Sequence, residues 1–153
     1  MIPAGPEIVR HTERLLNSYH RWLGCELIPR SGDPVEEAMR LFASPLIVVS
    51  HGMQADPILN YGNAAALALW ETSFEELTVM PSRLTAEPVH RDERARLLDR
   101  TTRHGFVNDY QGIRISKTGR RFLIRRAIVW NLLDELAHPA GQAATFSGYE
   151  FLK

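Results

Sequence analysis

The chain has 153 residues, 44% of them hydrophobic, which is enough for one core-bearing domain and too few for two of ordinary size. Its 18 Lys and Arg are balanced by 18 Asp and Glu, so there is no basic surplus to neutralise a phosphate backbone or an anionic bilayer, and neither nucleic acid nor membrane is an expected partner. The single cysteine, Cys25, can form neither an internal disulfide nor a structural zinc site, which suits a cytoplasmic protein.

No run approaches the roughly 18 apolar residues of a membrane span, and the N-terminus becomes charged before a signal-like apolar stretch develops. A net charge of zero favours self-association, so a homodimer is the expected assembly.

In chain order, Ile8, Leu15, Leu16, Tyr19, Trp22, Leu23 and Leu27 recur at helical spacing, with Arg10, Glu13, Arg14, Asn17 and Arg21 opposite. This predicts a long amphipathic helix carrying Cys25, and residues 1–32 read as an N-terminal helical extension to a domain over 33–153. Asp33, Pro34 and Glu36 open a second, short helix. "PLIVVSHG" reads as a buried strand and "ILNYGN" as its hairpin partner. Asn63 caps "AAALALWE", and Ser73 with Glu76 caps "SFEEL". A mostly solvated helix over "HRDERARLLDRTTRHG" ends at Gly105. Three strand-like runs, "FVNDYQGIRIS", "RRFLIRRAIVWNLL" and "GQAATFSGYEF", complete an antiparallel meander. The order α-α-β-β-α-α-α-β-β-β predicts an α+β fold.

Strict alternation along the fourth strand places Phe122, Ile124, Arg126, Ile128, Trp130 and Leu132 on one face, and Leu123, Arg125, Ala127, Val129, Asn131 and Leu133 on the other. Both faces are apolar enough to need a cover, the N-terminal helix for one and the mid-chain helices for the other. The two arginines then have two readings. Either both sit at the sheet edge and pair with Glu71, Asp109 or Glu150, or Arg126 offers an anion-recognising donor inside a pocket shared with Trp130. Trp70, Tyr110, Trp130 and Phe146 are the aromatic lining, of that pocket or of a plain core. Tyr61, Asn131 and Gln142 would supply hydrogen bonds to a ligand.

The stretch "NYGNAAALALWETSFEELTVMPSRLTAEP", followed in order by "GIRIS", "VWNL" and "GQAATF", resembles the MEKHLA domain, a branch of the PAS superfamily, over most of residues 36–150. The resemblance implies a PAS-like five-stranded antiparallel sheet with short helices on one face enclosing a cavity, and a sensory or interaction role. It leaves the cofactor unknown. Ser82 occupies the place of the reactive cysteine of blue-light PAS domains, so no flavin–thiol adduct can form there. Asn131 lies twelve residues after Gly119, too late for the flavin-contacting asparagine. His90 and His104 are the only candidates for a haem-binding helix histidine.

No catalytic or metal motif stands out. His11 and His20 lie half a turn apart on their helix, His51 and Asp56 read as turn chemistry, and Cys25 lacks a base. The function expected is a non-enzymatic small-molecule-binding or sensory module signalling through dimerisation or protein contacts, its ligand anionic if Arg126 faces the pocket. The alternatives are a ligand-free assembly domain and an isomerase or hydrolase on a cone-shaped fold, which would need Asp109 or Asp134 at its site.

Overall fold

The computed structural model describes residues 5–153. It contains α1 (Pro6–Leu23), α2 (Pro34–Ala43), β1 (Ile47–His51), β2 (Leu59–Gly62), α3 (Ala64–Trp70), α4 (Phe74–Leu77), a 3-10 turn (Ser82–Thr85), α5 (Pro88–His104), β3 (Phe106–Ile115), β4 (Arg121–Leu133), β5 (Pro139–Phe146) and β6 (Gly148–Phe151). All strand pairs are antiparallel, in the order β2-β1-β5-β4-β3. The short β6 continues past Ser147 along the edge of β4 that β5 has just left, adding a sixth strand to the expected five.

The caps read in the sequence are in place. The Asp33 carboxylate accepts from the N–H groups of Val35 and Glu36, Asn63 Oδ1 from Ala66 N–H, and Ser73 Oγ from Glu76 N–H. Gly24, in the left-handed region, ends α1 one residue before Cys25. The cysteine is therefore exposed beyond the helix rather than on it.

Each face of the sheet has its own core. On one, α3 and α5 cover Ile47, Val107, Tyr110, Phe122, Ile124, Ala127, Val129 and Phe146. On the other, Leu15, Leu16 and Tyr19 of α1 and Leu41 of α2 pack on Val48, Tyr61, Trp130 and Leu132. Fully burying each such side chain contributes about 1.5–3 kcal/mol, so α1 is an integral cover for the sheet. Ser18 reinforces it by accepting from Leu133 N–H at 2.8 Å, as does Trp22 Nε1–H by donating to Asn131 O at 2.9 Å.

The faces of β4 are not those of strict alternation. Tyr110 opposes Ala127 and Gly112 opposes Ile124, so β4 advances three residues where β3 advances two. The extra residue is accommodated by a bulge at Arg126, whose φ is +53°. Beyond it every side chain changes sides. Ala127 and Val129 join Phe122 and Ile124, while Ile128, Trp130 and Leu132 turn toward α1.

Candidate functional site

Between the sheet and the helices that follow β2 lies a cavity of about 70 Å³. β1 contributes Val49 and His51, α3 ends on it with Trp70, β3 adds Tyr110 and Arg114, and α5 adds Arg94 and Leu97. Ser82 and Thr85 of the 3-10 turn and Gln142 of β5 complete its polar lining. Most of the remaining wall is aliphatic.

Two guanidinium groups dominate the electrostatics. Arg114 is only 7% exposed, and its Nη1 donates to Ile113 O at 2.9 Å. Its guanidinium carbon lies 5.4 Å from the centroid of the Tyr110 ring. Arg94 donates from Nη2 to Ser82 Oγ at 2.7 Å. Among the described residues no carboxylate lies within 4.0 Å of either arginine. Burial, aided by the nearby Arg114 charge, pulls the Arg94 guanidinium down to a pKa of about 10.

The other polar groups are arranged around this pair. The Tyr110 hydroxyl donates to Glu93 Oε2 at 3.0 Å, and burial raises its pKa. The Trp70 Nε1–H and His51 Nε2 are buried without a hydrogen-bond partner. His51 Nδ1–H donates to Gly52 O at 3.0 Å, leaving Nε2 as the acceptor of a neutral ring, and burial lowers the pKa of that ring. A Ser–His pair also touches this region. The Ser50 hydroxyl donates to Asn60 Oδ1 at 2.5 Å and so accepts from His11 Nε2–H at 2.8 Å, an arrangement in which the histidine does not act as a base toward the serine.

Of the side chains singled out in the sequence, Trp70, Tyr110 and Gln142 line the cavity, and so does Phe146. The Gln142 amide nitrogen is committed to α5, within 3.0 Å of Leu98 O and Thr102 Oγ1. Asn131 is not at the cavity: its Nδ2 donates to Thr101 O at 3.0 Å, fastening the end of α5. Trp130 and Tyr61 lie in the opposite core, Trp130 edge-on to Tyr19 at 5.0 Å and Tyr61 edge-on to Phe74 at 6.2 Å. Arg126 is exposed on the bulge and does not face the cavity, which corrects the pocket reading of that residue. Arg125 pairs with Glu150 at 2.5 Å, one of the edge partners expected. His90 and His104 do not line the cavity, and the place read as the blue-light cysteine holds Ser82, bonded to Arg94. A space of about 70 Å³ is far smaller than the three fused rings of a flavin require.

Arg94, Arg114, Ser82 and His51 were not singled out as ligand contacts, although signals for two were present. Arg114 follows Tyr110 and Gly112 at strand period, and Arg94 precedes Leu97 and Thr101 on one stripe of α5. Reading α5 as solvated concealed the second.

This architecture is the PAS fold. The PAS domain of a Colwellia psychrerythraea protein superimposes with a TM-score of 0.63 at 14% identity, covering 76% of this chain and 94% of that one. The light-state dimer structure of the fungal blue-light photoreceptor Vivid matches with a TM-score of 0.59 at 16% identity over 94% of this chain and 95% of its own. Within that fold the chain belongs to the MEKHLA domain family, whose profile matches residues 9–151, beginning inside α1. A curated relative, the homeobox-leucine zipper protein ATHB-15 of Arabidopsis thaliana, is 25% identical over 135 residues. The match covers 85% of this chain and 16% of that protein.

Proposed function

We propose that this protein is a small-molecule-binding sensory module that binds its ligand in the cavity between the sheet and α3–α5 and signals through protein contacts rather than catalysis. The observation that carries the reading is the cavity itself, a mostly apolar hollow lined by Arg94 and Arg114, neither of which has a carboxylate within 4.0 Å among the described residues. A domain built only to assemble would fill that space with hydrocarbon, since interiors are packed to crystal density. Trp70, Tyr110 and Gln142 are the ligand contacts carried over from the sequence, with Arg94, Arg114 and Ser82 added from the structure. The absence of an activated nucleophile at Ser50 favours binding over hydrolysis.

Dimerisation is the proposed output, with α1 as the element that bears it. The light-state Vivid structure, a dimer by its description, is a precedent on this fold. No helix among the described residues is long and apolar enough to cross a membrane, and we place the protein in the cytoplasm.

Native mass spectrometry of protein taken directly from cells tests the reading. A bound small molecule released on gentle activation supports it. A bare mass, with no thermal shift across a panel of small metabolites, overturns it and leaves an assembly domain.

A further inference from the structure

We infer that the cavity takes a small organic carboxylate with a short alkyl tail, held by the paired guanidinium groups of Arg94 and Arg114. This deepens the proposed function and rests on the cavity being a ligand site.

The charge balance points there first. An arginine carries five N–H donors and is never neutral in a protein. Here Arg94 donates to Ser82 Oγ, and Arg114 donates to Ile113 O and lies against Tyr110, so that neither charge is met by a carboxylate. The nearest acids are engaged elsewhere: Glu93 accepts from Tyr110, and Asp56 pairs with Arg83 at 3.2 Å. Two like charges sharing an apolar cavity repel and are poorly solvated, a cost that one bound anion relieves for both. Carboxylates match the guanidinium fork in shape as well as charge.

Size and the rest of the wall narrow the class. A cavity of roughly 150 Å³ holds a benzene ring of six carbons, so about 70 Å³ admits a ligand of only a few heavy atoms. Val49, Leu59, Leu77, Leu97 and Val129 offer no polar group, which favours an alkyl tail over a purely inorganic oxyanion.

The test is calorimetric and NMR titration of the full chain with sodium propionate at fixed ionic strength, beside its neutral isostere propanamide and beside nitrate. Saturable one-to-one binding of propionate is expected, with propanamide and nitrate each weaker by on the order of tenfold or more, the usual scale for losing a charge-assisted contact. Arg94→Gln and Arg114→Gln should each weaken propionate by a similar factor, and Arg114→Lys should recover part of the loss. Propanamide or nitrate binding as well as propionate would overturn the carboxylate assignment while leaving a ligand cavity, as would unchanged affinity in both glutamine variants. If none of the three compounds binds, the carboxylate assignment falls, and the sensory reading is decided separately by the native mass and thermal-shift measurements. Should the variants fail to fold, by their NMR spectra, the three-ligand comparison on the unmodified chain decides alone.

Discussion

Trp22 lies against Gly105, so that a Cβ added to the glycine would meet the indole Cε3 at 2.6 Å. The contact joins the end of α1 to the end of α5, and β4 lies between them, since Asn131 N–H donates to Gly105 O and the Trp22 Nε1–H donates to Asn131 O. Gly105 also holds φ at +91°, where an L side chain is strained. Gly105→Ala should therefore lower stability by about 2 kcal/mol, from strain and from displacement of the indole. Urea unfolding checks this, and a loss under about 0.5 kcal/mol would show that neither constraint is felt.

Asn63 ties the start of α3 to β1 and to the end of α2. Wholly buried, its Oδ1 accepts from Val48 N–H at 3.1 Å and Ala66 N–H at 3.2 Å, and its Nδ2 donates to Leu46 O at 2.6 Å and Leu41 O at 3.2 Å. Asn63→Ala would strand these buried backbone groups and remove a helix cap, at a cost of about 3 kcal/mol. Thermal unfolding of the variant should show a Tm lower by several degrees, more than for any exposed Asn→Ala change.

At the bulge the direction reverses. Arg126 is exposed and its φ of +53° suits glycine better than arginine. Arg126→Gly should be neutral or stabilising by up to about 1 kcal/mol in urea unfolding, because relief of φ strain is set against the greater freedom of glycine when unfolded. The same variant should bind propionate as the unmodified chain does, in contrast to Arg114→Gln. A loss of binding there would return Arg126 to the pocket.

His11 gives the fold a pH dependence. Burial, with Arg14 nearby, pulls its pKa from 6.5 down to about 4. Because the folded value lies below the unfolded one, the unfolded chain holds more protons between those limits. The contribution is therefore fully present above pH 6.5 and is lost as pH falls toward 4. His51, lowered by burial, acts in the same direction. Stability measured by urea unfolding should drop between pH 6.5 and 4, with about 2 kcal/mol attributable to His11 after allowance for its partial exposure. His11→Gln should flatten that profile, and an unchanged slope would remove His11 as its cause.

Much of the fold was legible because its signals are local. The caps at Asp33, Asn63 and Ser73 and the glycine that ends α5 each depend on a few neighbouring residues, and each formed where it was read, whereas Gly24 was missed as the end of α1 and the last strand run divides into β5 and β6. The site was legible only in part. Trp70 and Tyr110 were found as aromatic residues on the right elements, whereas Trp130 was assigned to the wrong face by counting twos through Arg126. A bulge leaves no necessary mark in a run such as "LIRRAIVW", since both faces of that strand are apolar and either parity buries as much hydrocarbon.

By itself, then, the order of residues determined the α+β class, the succession of elements and the two-sided cover of the sheet, because hydrophobic period and capping act over one or two turns of chain. Only the tertiary structure decided which arginines meet inside. Arg94 and Arg114 are twenty residues apart, on a helix and a strand. They come to share one cavity because α5 folds back over β3, and the pairing register that brings them together is a property of the whole sheet.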